Sequence, residues 1–338
     1  MHTLLLFLMV TCPSGLEHDL SGWDIYSPGS FDVSDSGVIC YGDRDNTRLV
    51  FINEQGKLIR FAGRKGEGPG EFASISKISW EHSEKLFLVY DWSGRLSMWR
   101  DDGSLVQESK VAPKLRQFIA LENKTVAYVA DDFGQPGSKP SLNLLSLKSG
   151  EISNLWQRAP LTQANGFHRQ EEPAFIFKLD WNHRLLTDSN AKRYALCYND
   201  QATVYVFSRK NHQQVQRLEV ELPTCSVTEA MFQEAFKRKF SNNLARTIAP
   251  FVHWTPDQYW PTVQGLKLDD LDRIWVFSKT EQGYPYKVYD TSGKHVFSGK
   301  SVVHPERIRV RRDQMYFTVE TNDHLLLKRE PVFQLMDH

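Results

Sequence analysis

The densest aromatic stretch of the chain reads FVHWTPDQYWP, and it contains His253, Trp254, Asp257, Tyr259 and Trp260. Aromatic faces beside an imidazole and a carboxylate suit stacking on a sugar, a peptide or another planar ligand. The same side chains could form a packed plug, and the plug is the favoured interpretation. If the protein has a ligand site, these five residues are its predicted wall.

Metal and catalytic motifs are weak in this sequence. His168, Glu171 and Glu172 could supply three metal ligands, but no further spaced ligand follows, so a solvated loop is favoured and no metal site is predicted. There is no G-x-S-x-G, H-E-x-x-H or S-x-x-K motif, and catalytic residues therefore stay unassigned. A site assembled from several distant segments would escape such local patterns.

The loop Gly63–Phe72, GRKGEGPGEF, has the glycine content of a phosphate-binding loop. A phosphate-binding loop of the Walker type ends in Gly-Lys-Ser/Thr and opens a helix. This loop ends in Glu71-Phe72 and precedes a strand-like run, so we expect a turn between two structural repeats.

A strand–turn–strand pattern recurs along the chain and must position any site. Its turns are centred on Gly56, Gly103, Gly150, Asn211 and Gly293, each between short β-rich runs. The steps between successive turns are 47, 47, 61 and 82 residues. A period in the forties with four short strands per unit is typical of propeller blades. Five hairpins predict five blades.

The segment 307–335 predicts a sixth blade, although it contains only three clear strands. We expect the missing strand to come from the N-terminal segment near Leu20–Ser27. Such closure would remove the open sheet edge that an incomplete ring leaves.

The glycine-rich loop, followed by a strand and then by YDWSGRLSMW, resembles the bacterial six-bladed β-propeller proteins related to NHL-repeat and TolB-like propellers. Leu268–Val276, LDDLDRIWV, is similar to the family's D-x-x-G-R-I-W-V, with Asp272 where Gly is usual. The resemblance covers roughly residues 20–335. It implies an all-β six-bladed propeller, often an exported protein or lipoprotein, with no single activity common to the family.

One segment departs from the all-β pattern. Ser226 and Glu229 match a capping box at the start of a helix. Apolar residues then recur at four-residue intervals, at Phe232, Phe236, Phe240 and Leu244. This predicts an amphipathic helix of about four to five turns, in a short helical insertion between blades 4 and 5 at about 226–260. We expect the apolar stripe to pack on the propeller face; if exposed, it would form a lid or a partner-binding element.

Residues 1–15 are a candidate signal or lipoprotein segment, and residues 16–338 are expected to form a single propeller domain. The apolar run at 4–10 is too short to span a bilayer as a helix. Cys12 follows Leu-Met-Val-Thr as in a bacterial lipobox and is the candidate for lipidation; an ordinary cysteine in a packed or disordered terminus is the alternative. Cys40 and Cys197 are expected to pack as small hydrophobes, and a Cys197–Cys225 bridge would require an oxidising compartment.

Charge is balanced, with 41 Lys and Arg against 41 Asp and Glu, so no overall field attracts nucleic acid. The basic runs at 237–239 and 307–312 are short and are expected to lie on solvated surfaces.

We therefore expect a monomeric, exported binding or protein-interaction module of the periplasm or cell envelope, without a cofactor and with an unknown protein, peptide or small molecule as its partner. One alternative is a lactonase- or lyase-like propeller enzyme with a divalent metal such as calcium in its central channel. Another is a structural role at the envelope, with the helical insertion presented to a partner.

Overall fold

The computed structural model describes residues 15–115, 117–130, 141–157, 168–169, 175–176, 185–199, 201–226, 228, 252–253 and 262–332. These residues form six four-stranded antiparallel sheets and one three-stranded sheet. The predicted all-β, six-bladed propeller is confirmed.

The strands follow one another within each blade in the order of the chain. Blade 1 contains β2 (Phe31–Val33), β3 (Ile39–Asp43), β4 (Arg48–Ile52) and β5 (Leu58–Ala62). Blade 2 contains β6 (Ile75–Glu81), β7 (Leu86–Asp91), β8 (Arg95–Trp99) and β9 (Leu105–Lys110). Blade 3 contains β10 (Phe118–Leu121), β11 (Thr125–Ala130), β12 (Ser141–Ser146) and β13 (Ile152–Gln157).

The second half of the ring repeats this arrangement. Blade 4 contains β16 (Leu185–Ser189), β17 (Arg193–Tyr198), β18 (Thr203–Ser208) and β19 (Gln214–Glu219). Blade 5 contains β21 (Gly265–Leu268), β22 (Ile274–Phe277), β23 (Tyr284–Tyr289) and β24 (His295–Ser301). Blade 6 contains β25 (Ile308–Arg311), β26 (Gln314–Glu320), β27 (Leu325–Pro331) and, from the other end of the chain, β1 (Leu16–Asp19).

The first strand of each blade lies at the centre of the ring. β2, β6, β10, β16, β21 and β25 contact one another in that order, and β25 contacts β2 again, so the ring is closed. Six apolar clusters hold it together, one between each pair of adjacent blades. Between blades 1 and 2, for example, Phe51 packs with Trp80, Phe87 and Trp99. Each blade thus buries both faces only because it has two neighbours.

The predicted hairpin turns join the third and fourth strands of blades 1 to 5. Gly56 has a φ of 80°, a left-handed conformation that glycine adopts at little cost. In four of the five hairpins the register shifts by one residue beside the turn, as expected for a bulged turn. In blade 4 the left-handed residue is His212, with a φ of 57°, and the prediction of Asn211 for this role was wrong.

The N-terminal segment closes the ring, but not with the residues that the sequence indicated. β1 (Leu16–Asp19) pairs antiparallel with β27 as the outer strand of blade 6. The segment predicted for this strand instead begins with a short 3-10 turn at Leu20–Trp23. Leu20 and Ile25 are fully buried between blades 6 and 1, so this segment packs between blades.

The predicted helical insertion at 226–260 is not supported. In the described part of the chain there is no α-helix, only 3-10 turns at Leu20–Trp23 and Pro305–Arg307. Among the described residues of the insertion, Val252–His253 form a strand, β20, which fits the strand propensity of valine. Residues 229–251, which include the predicted apolar stripe, lie outside the described residues.

β20 belongs to the three-stranded sheet. It pairs in parallel with β15 (Phe175–Ile176), which pairs antiparallel with β14 (His168–Arg169). The two long connections, from blade 3 to blade 4 and from blade 4 to blade 5, therefore meet in one sheet outside the blades.

The described cysteines, Cys40, Cys197 and Cys225, are buried, and the conceivable Cys197–Cys225 bridge is not formed. Cys12 lies outside the described residues. Within the described ranges, no helix has the length and apolar character needed to cross a membrane.

Candidate functional site

A cavity of about 640 Å³ opens at one end of the central channel. Residues in or just before the inner strand of every blade line it: Ser27–Ser30 from blade 1, Ser76 and Lys77 from blade 2, Gln117 from blade 3, Thr187 from blade 4, Lys267 from blade 5 and Arg309 from blade 6. The rigid inner strands thus hold all sides of the mouth in fixed positions.

The local sequence explains why charged side chains point into this cavity. Leu266 and Leu268 pack in the apolar cluster between blades 4 and 5, and strand alternation turns Lys267 to the other face. In β6 a register shift lies between Ile75 and Lys77, and it brings Lys77 to the mouth while Ile75 stays buried.

Lys267 is only 7% exposed, and Lys77 is half-buried. Burial, together with the charge of Arg309, lowers the pKa of Lys267 to about 7 and that of Lys77 to about 8. The carboxylates of Asp188 and Asp32 act in the opposite direction but do not compensate. Among the residues that the structure describes, neither ammonium group forms a hydrogen bond or a close ion pair, and the Glu306 carboxylate, which lines the same cavity, raises the pKa of both lysines without compensating.

Deeper in the channel, Arg311 connects four blades. Its Nη1 donates to the carbonyl of Leu268 at 2.8 Å, and its Nη2 donates to the carbonyl of Ser189 at 2.9 Å. Its Nη2 also lies 3.8 Å from Asp32 Oδ1 and 3.9 Å from Asp188 Oδ1. Burial alone would lower the pKa of Arg311, but these carboxylates raise it overall, so the guanidinium stays charged.

The two carboxylates also satisfy the free edges of the inner strands. Asp32 Oδ2 accepts from the amide of Trp80 at 2.9 Å, and Asp188 Oδ2 accepts from the amide of Leu268 at 2.9 Å. In each case the acceptor belongs to the blade before the donor. Burial would raise the pKa of Asp32, but Arg311, Arg309 and backbone amides lower it overall, so this acid is ionised at neutral pH.

At the opposite end of the channel, Arg209 extends inward from the last hairpin of blade 4. Its Nη1 donates to the carbonyl of Ala120 at 2.9 Å, and its Nη2 donates to Glu81 Oε1 at 3.1 Å. Nearby, His82 Nδ1 lies 2.7 Å from Asp35 Oδ1. These contacts link blades 1 to 4 and make this end of the channel a structural junction.

The described lining does not fit a divalent metal. Calcium and similar cations need several free oxygen ligands, whereas Asp32 and Asp188 already bind arginine and backbone amides and Glu320 is paired with Arg307. Glu306 also lines the cavity, but Lys77, Lys267 and Arg309 bring positive charge to the same lining. No three His, Cys, Asp or Glu side chains in the described ranges are grouped to hold a metal ion.

The glycine-rich loop Gly63–Phe72 joins blade 1 to blade 2. The amide of Gly68 donates to the Glu71 carboxylate at 2.8 Å, and that of Gly70 donates to the Glu108 carboxylate at 3.1 Å. Amides that bind the protein's own carboxylates cannot cradle a phosphate. The prediction of an interblade turn is confirmed.

Arg95 holds this loop in place. Its guanidinium donates to the carbonyls of Gly66, Glu67, Gly68 and Glu71 at 2.6–3.1 Å. A single side chain of β8 thus satisfies four loop carbonyls. Arg95, the arginine of the YDWSGRLSMW segment in blade 2, therefore has a structural role.

The structure leaves the predicted ligand wall untested. His253 lies in β20, and Trp254, Asp257, Tyr259 and Trp260 lie outside the described residues. Of the conceivable metal trio, His168 lies in β14, and Glu171 and Glu172 are likewise outside. The set at the channel mouth is a different one.

Sequence reasoning missed Lys77, Lys267, Arg309 and Arg311. The run at 307–312 was expected to be solvated, but Arg309 and Arg311 are only 5% and 2% exposed. The available signal was a cation between apolar residues of an inner strand, as in KISW, LKLD and IRVR.

The chain is a six-bladed β-propeller with a cation-lined channel mouth. A family model described as "6-bladed beta-propeller" matches residues 26–175. No curated protein sequence matches the chain. The resemblance to six-bladed propellers is thus confirmed, whereas a specific relation to NHL-repeat or TolB-like proteins stays a prediction.

Solved structures share the fold at low sequence identity. A Bacteroides fragilis protein described as an exported protein aligns with a TM-score of 0.53 and 10% identity, over 91% of both chains. A luciferin-regenerating enzyme aligns with a TM-score of 0.47 and 11% identity, over 93% of this chain and 95% of its own. Virginiamycin B lyase from Staphylococcus aureus aligns with a TM-score of 0.47 and 11% identity, over 94% and 88%. Such similarity concerns the fold alone.

Proposed function

We propose that the protein is an exported binding module whose ligand enters the mouth of the central channel. The observation that carries this proposal is the cavity of about 640 Å³, to which all six blades contribute polar or charged groups. Its volume lies in the range of about 300–1,000 Å³ that is typical of small-molecule sites.

Preformed geometry favours binding at this position. Arg311 and its partners cross-link the inner strands directly below the mouth. A lining fixed in this way loses little conformational entropy when a ligand enters. Export is supported by the N-terminal apolar run and by Cys12 as a candidate for lipidation.

A metal-dependent enzyme has less support, because the channel carboxylates of Asp32 and Asp188 are committed to arginines and amides. A protein-interaction role would depend on residues 229–251, and no contact of the described residues favours it.

Thermal unfolding in the presence of a chemically sorted compound set tests the proposal. The set contains neutral sugars, amines, carboxylates, phosphates and short peptides. Two variants narrow the mouth from different blades, Ser76→Trp and Gln117→Trp, and Ser149→Trp on an exposed turn is the matched control.

We expect at least one compound class to raise the unfolding temperature of the wild type and of Ser149→Trp, and to lose this effect in both mouth variants. Stabilisation by no class, or equal stabilisation of all four proteins, would contradict a binding site at the mouth.

A further inference from the structure

We propose that the ligand of the channel mouth carries a carboxylate or phosphate group, which binds between Lys77 and Lys267. This inference rests on the proposed binding function and names the chemical class of the ligand. Carboxylate and phosphate share the property that matters here, a compact group of negatively charged oxygens.

The two lysines approach the cavity from opposite sides. Lys77 belongs to blade 2 and Lys267 to blade 5, and these blades face each other across a closed ring of six. Both side chains line the same cavity, and the charges are close enough for Lys77 to lower the pKa of Lys267. An oxyanion on the channel axis could therefore contact both ammonium groups.

The ammonium groups have unused hydrogen-bonding capacity. Lys267 is more than nine-tenths buried, and in the described part of the structure no acceptor or carboxylate pairs with it or with Lys77. A buried charge without a partner is costly, and an anionic ligand offsets that cost. Neutral ligands would leave the cost in place.

Other charged groups at the mouth do not remove this preference. Arg309 Nη1 donates to the carbonyls of Glu306 and Ile308, and its guanidinium adds positive charge to the same cavity. The carboxylates of Asp32 and Asp188 are held by Arg311 and by backbone amides. Asp32 and Asp188 are thus already neutralised, and Glu306 on the same lining raises the pKa of both lysines without compensating for their burial.

Proton uptake should accompany binding. The groups that face the two lysines are Arg309, which lowers both pKa values, and Asp188, Asp32 and Glu306, which raise that of Lys77. Because both amines are partly deprotonated near pH 7.5 in the free protein, an anion that stabilises the ammonium forms draws protons from the buffer. The affinity should then fall as the pH rises from 7 to 9.

Titration calorimetry with inorganic phosphate, succinate and glucose tests the inference, in two buffers that differ in ionisation enthalpy and at constant ionic strength. The proteins are the wild type, Lys267→Met, Lys77→Met and, as the matched control, Lys148→Met on an exposed turn. Met keeps the length of the side chain and removes an unpartnered buried charge, so both site variants should fold.

We expect phosphate or succinate to bind the wild type and Lys148→Met with proton uptake, and each site variant to bind about ten- to hundred-fold more weakly. The anion that binds more tightly shows whether the oxyanion of the ligand is a phosphate or a carboxylate. Binding that is unchanged in Lys267→Met and Lys77→Met overturns the inference. If only a neutral compound binds, and Ser76→Trp and Gln117→Trp abolish its binding, the inference fails but the proposed binding function stands. If no compound binds at the mouth, both the inference and the proposed function fail.

Discussion

Replacing Lys267 by Met should stabilise the folded protein at pH 6 and have little effect on its stability at pH 10. Burial and Arg309 lower the pKa of Lys267 from its ordinary value of 10.5 to about 7. Between these values the unfolded chain keeps the proton and the folded chain releases it, so the stability of the wild type rises with pH. Below pH 7 both states are protonated, and the folded state carries the full cost of the buried charge.

The size of the effect follows from the two pKa values. They differ by about 3.5, and each unit corresponds to about 1.4 kcal/mol, so the cost at pH 6 is of the order of 5 kcal/mol. Lys267 is only 7% exposed, but its side chain lines the open cavity, so solvent screening makes this figure an upper limit. The difference between variant and wild type should shrink by about 1.4 kcal/mol for each pH unit between 7 and 10.

Urea unfolding at pH 6, 7, 8, 9 and 10 measures this difference without adding salt. Lys148→Met is the control, because its side chain is exposed and the difference from wild type should be small and independent of pH. Titration of the other groups cancels in the comparison, apart from Lys77, whose pKa should rise when the charge of Lys267 is removed. A stability difference for Lys267→Met that does not change with pH, or a variant less stable than wild type at pH 6, would refute the reasoning.

Three further perturbations test other parts of the structure. Arg311→Met leaves Asp32 buried without its main counter-charge and should cost about 3–5 kcal/mol, seen as a lower urea midpoint at pH 7; an unchanged midpoint would contradict the role of Arg311 as a cross-link. Arg95→Met frees four loop carbonyls and should cost about 1.5–3 kcal/mol, with faster amide exchange in Gly63–Phe72 but not in blades 3 to 5. Deleting residues 1–19 removes β1 and exposes the edge of β27, and should cost about 1 kcal/mol per lost ladder hydrogen bond and promote self-association in size-exclusion chromatography.

The fold was predictable from sequence where the determining interactions are local. The hairpin turns at Gly56 and Gly293 join strands only a few residues apart, and the left-handed conformation that they require is visible as a glycine. In blade 4 His212 adopts that conformation, and the sequence does not indicate it, because the residue is not a glycine.

Long-range pairing was harder to predict. β1 pairs with β27 across almost the whole chain, and its sequence LEHD has no strong strand pattern. The neighbouring Leu20 and Ile25 gave a stronger apolar signal, but their role is packing between blades 6 and 1. Which segment closes the ring is decided by a partner at the other terminus, and local pattern cannot specify it.

The cationic mouth escaped prediction because no motif encodes it. Lys77 and Lys267 lie 190 residues apart in sequence, and each looks like an ordinary polar residue of a half-exposed strand. Only the closure of the ring brings blades 2 and 5 to opposite sides of one cavity.

The charge of the mouth follows from how a propeller satisfies its inner strands. The inner edge of each blade has amides without a strand partner, and buried amides need acceptors. Asp32 and Asp188 supply them to the following blade, and these buried carboxylates in turn need cations, which Arg311 and, for Asp32, Arg309 provide. Once these acids and arginines are paired, the two lysines above them are left without a close ion pair, and the nearby Glu306 carboxylate does not restore their ordinary pKa values. The preference for an anionic ligand is therefore a consequence of the same interactions that close the ring.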